Sequence, residues 1–270
     1  RKEIYTMKIL RYDRNGEAHY GVLGSDDTVR ELVGSPFGEF DVGAEAGKLG
    51  DLSLLAPVEP AKVIGAGLNY KAHIAETGRA TPKFPMLFMK PSSAVIGPGQ
   101  PIVYPSSSHV TESGDKQVEF EAELVVVIGK EARHVSEANA LDYVLGYCCG
   151  NDVSARMIQF AEMDMGTLLV GKGFDSFCPL GPVIETDLDP ANQQLKARVN
   201  GELKQDFNTS DLLFTVPYLV SYLSTAIRLS PGDVILTGTD HGVGPIHPGD
   251  VVEIEASGVG VLSNPVVAEK

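Results

Sequence analysis

Glu119, Glu121 and Glu123 alternate with Phe120 and Ala122 and lead into the apolar run Leu124 to Ile128. Alternate side chains of a strand share a face, so the three acids point one way with Val125 and Val127, while Ala122, Leu124, Val126 and Ile128 point the other. Apolar residues on both faces predict a strand covered on both sides. Carboxylates at the end of such a strand repel one another and lose hydration unless a cation or hydrogen-bond donors compensate. Asp152 closes a second apolar stretch, Val144 to Gly150. Glu121, Glu123 and Asp152 at the mouths of two strands form an all-oxygen ligand set, suited to Mg²⁺ or Mn²⁺, or to Ca²⁺, rather than to Zn²⁺. The plain alternative is a solvated acidic edge.

Other residues could work beside these acids. Tyr70 to Glu76 predicts a short helix capped by Asn69, ended by Gly78 and kept from continuing by Pro82 and Pro85. His73 and Glu76 stand at i and i+3, on one face and within hydrogen-bond reach. A helix so short and so poor in apolar residues suits a lid better than a core element. Val153 to Phe160 predicts one or two helical turns beginning at Asp152, which lets Arg156 and Gln159 face an anion held by the same cation. Lys172 sits between Gly171 and Gly173, where only its stem and bare backbone approach a ligand, and Thr239 ends a predicted strand from Gly232. Singly, each has a bland counterpart: a surface His–Glu pair, a salt-bridged arginine, a turn lysine.

Their order along the chain resembles a known family. Glu121-Ala122-Glu123-Leu124-Val125-Val126-Val127-Ile128-Gly129 is followed by Gly150-Asn151-Asp152-Val153-Ser154-Ala155-Arg156, Gly171-Lys172-Gly173-Phe174-Asp175 and Thr237-Gly238-Thr239. Gly67-Leu68-Asn69-Tyr70, His73, Glu76 and Phe88-Met89-Lys90-Pro91 precede them. Over about residues 58–267 the set resembles the signature of the fumarylacetoacetate hydrolase family. That resemblance implies a mixed α+β fold, predominantly β, built as a mixed β-sandwich roll, and a homodimer. It also implies a divalent cation, on Glu121, Glu123 and Asp152, that holds a 2-oxo acid or its enolate. His73, oriented by Glu76, would take a proton from attacking water. Lys172, with Gln159 and Thr239, would stabilise the oxyanion on the attacked carbonyl, and Arg156 would join them in binding substrate. His241 departs from the Pro- or Ser-like residues that the pattern places after Thr239.

The expected function is metal-dependent hydrolysis of a C–C bond in an acylpyruvate-type diketo acid. A 2-oxo acid decarboxylase of the oxaloacetate type, a tautomerase or an isomerase would use the same constellation. A non-catalytic metabolite-binding protein is a third reading, against which the His73–Glu76 pair and Lys172 count, because binding alone needs no water-activating pair.

Composition bounds these readings. The 270-residue chain can bury roughly 70–75% of its unfolded surface. Its 36 acidic and 22 basic residues give a formal charge of −14, which repels nucleic-acid phosphates and anionic lipid heads. Neither nucleic acid nor membrane is an expected partner, and an anionic substrate needs a local positive site. No apolar run approaches the roughly 18 residues of a membrane span. Arg1 to Thr6 hold no signal core, and Met7 is the expected natural start. Cys148, Cys149 and Cys178 lack zinc spacing and are expected as small buried residues in a reducing compartment, which points to the cytoplasm. No GxSxG elbow, HExxH or P-loop occurs, and Gly65-x-Gly67 lacks the third glycine of a dinucleotide loop. His19, His109, His134 and His247 read as surface or structural residues.

The elements that must position the site divide into a small N-terminal β module, residues 1–57, and a catalytic domain, residues 58–270. The module is expected as a hairpin around Asp13-Arg14-Asn15-Gly16, a third strand Thr28 to Leu32, and glycine-rich loops to Pro57. Later come short strands punctuated by Gly and Pro, a short helix capped by Ser136, a hairpin turning at Asn200-Gly201, helical spacing from Ser210 through Leu229 with Pro217 in an early turn, and a final hairpin.

Overall fold

Strand-forming runs separated by Gly, Pro and Asn turns dominate the sequence, and the computed structural model is correspondingly built on β-sheet. It describes residues 7–78, 80–106 and 117–270, with only the backbone of Glu76 and Thr77. The readings of residues 1–6 and of His109 fall outside the described residues. The strands of the first part are β1 Lys8–Arg14, β2 Glu17–Leu23, β3 Thr28–Gly34, β4 Phe40–Lys48 and β5 Ser53–Leu55. There follow β6 Val63–Gly67, α1 Lys71–Thr77, β7 Met86–Lys90, β8 Val95–Ile96, β9 Ile102–Tyr104, β10 Val118–Phe120 and β11 Ala122–Ile128. Then come β12 Val144–Asn151, β13 Ser154–Ala155, α2 Arg156–Asp164, α3 Val170–Gly173 and β14 Cys178–Glu185. The chain ends with β15 Gln194–Val199, β16 Glu202–Asn208, α4 Val216–Ala226, β17 Val234–Leu236, β18 Gly244–Pro245, β19 Val251–Ala256 and β20 Gly260–Ala268.

Among the described residues the largest sheet runs β4-β3-β2-β1-β14-β12-β11-β17-β6-β7. Asn15 and Gly16 both take positive φ, 59° and 84°, as a two-residue hairpin turn requires, and β1 pairs with β2 from Arg14↔Glu17 outward. The glycine-rich stretch expected as loop is instead β4, paired along β3 with two register shifts. Pairing with a neighbour overrides the weak strand propensity of its glycines. The N-terminal strands do not form a separate layer: β1 pairs with β14 through Lys8↔Glu185 and Ile9↔Ile184, which continues the main sheet.

β11 lies inside this sheet, antiparallel to both β12 and β17, and every one of its residues is buried. Ala122, Leu124, Val126 and Ile128 join a core shared with Leu195, Ala197, Ile254 and Leu262 of a second sheet, β16-β15-β19-β20-β9, and with Leu219, Val220 and Leu223 of α4. Val125 and Val127 enter a second core with Ile9, Val63, Cys148, Cys178 and Leu236. The period-2 reading of this strand therefore holds on both faces, and burying each such side chain stabilises by about 1.5–3 kcal/mol. All three cysteines are buried, and burial pushes the Cys149 and Cys178 thiols up to about 12, which leaves them unreactive at neutral pH. No helix among the described residues is long and apolar enough to cross a membrane. Ser136 does not cap through its side chain, and Glu137–Tyr143 is a 3₁₀ helix.

Gly146, opposite Val127 on β12, shows how closely these strands approach. A Cβ there would lie 2.3 Å from the carbonyl oxygen of Glu185 on β14. Gly146→Ala should therefore cost about 1–3 kcal/mol of stability through overpacking. Gly50→Ala, which faces open space, should change stability by no more than about 0.5 kcal/mol. Urea unfolding of both variants beside the wild type checks the contrast, and equal midpoints would refute it.

Candidate functional site

The acidic run is not one continuous strand. β10 ends at Phe120 and pairs with β13 and β18 in a small separate sheet, whereas β11 starts at Ala122 in the main sheet. Glu121 lies at the crossing. Its backbone N–H donates to Asn151 Oδ1 at 3.0 Å, its carbonyl accepts from the Asp152 N–H at 3.0 Å, and the next N–H, of Ala122, donates to Gln205 Oε1 at 3.0 Å. The register Ala122↔Asn151 and Glu123↔Gly150 brings Asp152 beside the two glutamates. One carboxylate oxygen from each of Glu121, Glu123 and Asp152 lies within 4.8 Å of the others, and the residues are 7%, 1% and 1% exposed.

Three cationic side chains face these acids. Lys172 on α3 donates to Glu121 Oε2 at 2.9 Å and Asp152 Oδ2 at 2.5 Å. Lys90 on β7 donates to Asp152 Oδ1 at 2.5 Å and to the Val153 carbonyl at 3.0 Å. Arg156 reaches Glu119 Oε2 at 2.6 Å and Glu121 Oε1 at 2.8 Å through one nitrogen, and donates from another to Gln159 Oε1 at 2.7 Å. Burial alone would raise the Glu121 carboxyl, but Lys172 and Arg156 outweigh it and hold the group well below the usual range. Burial would likewise lower the Lys172 ammonium, yet Asp152 and Glu121 keep its pKa above the ordinary lysine value. Glu123 differs. Burial, then Asp152 and Glu121, push its carboxyl well up, against the backbone N–H of Gly238 that it accepts at 2.5 Å. A divalent cation among the three oxygens would supply the positive charge that Glu123 lacks, so the donor set fits such an ion.

The acids open into a cavity of about 390 Å³ that is also lined by His73, Arg156, Gln159, Lys172 and Thr239. His73 is half-buried on α1; the backbone of Glu76 follows one turn later, and its side chain lies outside the described residues. Phe88 floors the cavity 5.1 Å from the Lys172 ammonium. Thr239 Oγ1 accepts from Gln205 Nε2 at 2.9 Å, so its own proton remains available for donation.

Two local expectations are corrected. Asn69 does not cap α1: its amide donates to the carbonyls of Phe214 and Thr237 and accepts from the Phe214 N–H, tying the loop before α1 to the end of β17. Asp152 does not begin a helix, because β13 intervenes and α2 starts at Arg156. Pairing of Glu119 with Ser154 imposes that extension. The sequence motifs include Lys90 without giving it a part, and they omit Gln205 and Glu162. For Lys90 a signal existed: a lysine at the end of an apolar strand, in phase with buried Phe88.

Residues 62–267 match the model for the fumarylacetoacetate (FAA) hydrolase C-terminal domain, and residues 7–57 match that for the Rv2993c-like N-terminal domain. The chain belongs to the FAA hydrolase family. A relative within it is the oxaloacetate tautomerase fahd2, mitochondrial, of Xenopus laevis, 42% identical over 80% of this chain and 69% of that protein. A 2-hydroxyhepta-2,4-diene-1,7-dioate isomerase from Mycobacterium marinum superposes with TM-score 0.86 at 39% identity, covering 98% of this chain and 99% of that one. The maleylpyruvate hydrolase of Sphingobium sp. SYK-6, solved with manganese(II) and pyruvate, superposes with TM-score 0.79 at 30% identity, covering 98% of this chain and 100% of that one. Members of the FAA hydrolase family thus carry isomerase, hydrolase and tautomerase names on one fold.

In this chain of the FAA hydrolase family Arg156 is the central charge of a buried network. Arg156→Leu should cost about 3–5 kcal/mol, because it leaves carboxylates buried without their partner. Glu119→Gln in the same chain should recover part of that loss. A double-mutant cycle by urea unfolding reads the coupling, and strict additivity would show that the two side chains do not depend on each other.

Proposed function

We infer that this protein is a divalent-cation-dependent hydrolase that cleaves a C–C bond in an acylpyruvate-type diketo acid. The observation that carries the reading is a buried cluster of three carboxylates sharing one cavity with His73 and Lys172. Glu121, Glu123 and Asp152 would hold the ion, Mg²⁺ or Mn²⁺, and the manganese and pyruvate in the maleylpyruvate hydrolase support that choice. Such an ion supplies a Lewis acid that neutralises charge on a carbonyl or enolate oxygen.

The chain's own residues do the rest. His73 takes a proton from water as the water oxygen bonds to the acyl carbonyl carbon, with Glu76 assigned to orient the imidazole. Lys172, Gln159 and Thr239 donate to the oxyanion that forms there. The C–C bond then breaks, its electron pair passes to the pyruvate enolate, and the acyl part leaves as a carboxylic acid, which gives up its remaining proton to solvent. The proton held on His73 returns to the enolate carbon, which completes pyruvate. Arg156 holds Gln159 in place for this role and balances Glu119 and Glu121.

A second reading, tautomerisation or decarboxylation of a 2-oxo diacid, is favoured by the oxaloacetate tautomerase relative. It needs the same acids and an enolate, but no attacking water.

Two experiments test these assignments. Mn²⁺ or Mg²⁺ at about a hundred times its dissociation constant should stabilise the wild type by about 2.7 kcal/mol. Glu123→Gln and Asp152→Asn should fold but lose that stabilisation in thermal melts, and a wild type indifferent to divalent cations would remove the ion from the site. In the second, wild type and His73→Ala are compared on an acylpyruvate and on oxaloacetate, with products identified. His73→Ala should lower acylpyruvate cleavage by about 10²–10⁴-fold while largely sparing decarboxylation or enolisation. Equal cleavage by both proteins would eliminate His73 as the base and favour the second reading.

A further inference from the structure

The segment that carries Lys172 has little apolar to hold it down. α3 is four residues long, Leu169 and Val170 are each 52% exposed, and Gly171 and Gly173 have no side chain. Lys172 is the side chain that α3 buries, beside Gly171, and one helical turn does not sustain itself. Glu162 on α2 meets it from below. Its backbone carbonyl accepts the N–H groups of Met165 and Thr167, each at 3.0 Å. Its carboxylate accepts those of Leu169 at 3.1 Å, Val170 at 2.7 Å and Gly171 at 2.9 Å. Glu162 is 7% exposed, so water does not substitute readily for these bonds. The two helices also touch through backbone: a Cβ on Gly171 would lie 2.6 Å from the backbone nitrogen of Gln159.

We propose that Glu162 is a positioning residue for Lys172: its carboxylate clamps the start of α3 onto α2 and so sets the Lys172 ammonium against Glu121 and Asp152. Glu162 and Gln159 stand at i and i+3 on α2, so one helix face carries both the clamp and a cavity-lining amide. An ionised carboxylate is suited to three converging N–H donors, because it accepts at two oxygens and makes stronger bonds than a neutral group. The clamp is independent of which substrate the cavity receives.

Lys90 supplies an internal reference, since it bonds the same Asp152 carboxylate from β7, outside the clamp. Trace acetylation of the native full chain with acetic anhydride, read at both lysines by mass spectrometry, measures their protection. In the wild type both should react slowly. Glu162→Ala should raise the rate at Lys172 by about tenfold or more, as loss of charge-assisted hydrogen bonds would allow, with Lys90 unchanged. Glu162→Gln, which keeps the shape and one neutral acceptor oxygen, should fall between. Equal protection of Lys172 in wild type and Glu162→Ala overturns the proposal. A parallel rise at Lys90 and Lys172 also overturns it, because general loosening would then be the cause. If Glu162→Ala does not fold, Glu162→Gln decides by the same comparison: a selective rise at Lys172 supports the clamp, and none, or a rise at both lysines, refutes it.

Discussion

Four carboxylates taken out of water together, on Glu119, Glu121, Glu123 and Asp152, set the terms for the rest of this structure. A buried carboxylate without a partner costs several kcal/mol, more than most single contacts return. Arg156, Lys172 and Lys90 answer that cost from α2, α3 and β7, elements far apart in sequence. The charge balance therefore links parts of the chain that hydrophobic packing alone would leave independent. Glu123 is the weak point of the balance, held by a backbone N–H and facing two other acids. The place where a cation would relieve most repulsion is thus beside Glu123, among the oxygens that already converge.

The sheets make this crowding feasible. Were Glu119, Glu121 and Glu123 on one unbroken strand, they would be spaced by the strand repeat and Asp152 would meet only its neighbour in register. The break at Glu121 sends β10 into the small sheet and β11 into the large one. Asn151, Gln205 and the Asp152 N–H satisfy the backbone groups exposed at the break. The irregularity is thereby stabilised by polar bonds that a regular ladder would have supplied. Behind it, a strand with both faces in apolar cores fixes where the acids emerge.

What could be read from the sequence follows the range of the forces involved. The period-2 pattern of β11, the turns at Asn15-Gly16 and Asn200-Gly201, and the clustering of Glu121, Glu123 and Asp152 all rest on local rules or on ordered motifs. The misreadings rest on partners outside the segment being read. β4 forms because β3 is beside it, although its glycines argue for loop. Asn69 looks like a cap, since Asn before a helix usually is one. Its amide instead serves Phe214 and Thr237, well over a hundred residues on. Glu162 resembles any exposed helix glutamate until the connection to α3 folds back over it. His73, Arg156, Gln159, Lys172 and Thr239, singled out by the family likeness, line one cavity with the three acids, whereas the supports behind that lining became visible only in three dimensions.

The same balance bears on how a strongly acidic protein would receive the anionic substrate proposed for it. With every group ionised, four carboxylates face three bases, an excess of one negative charge that matches the sign of the whole chain at −14. A divalent cation would turn that excess into one positive charge, confined to a cavity whose apolar walls include Met86 and Phe88 and screen poorly. The two lysines then divide the work by their access. Lys90 is enclosed between Asp152 and the Val153 carbonyl and acts as a fixed counter-charge. Lys172 lines the cavity above Phe88 and bonds two of the carboxylates that the cation would also claim. A cation there and the ammonium would repel each other, which would favour turning Lys172 toward the anion proposed as substrate. A short helix tied to α2 by the proposed Glu162 clamp would keep that lysine near its acids, and the length of the lysine stem would let its ammonium turn.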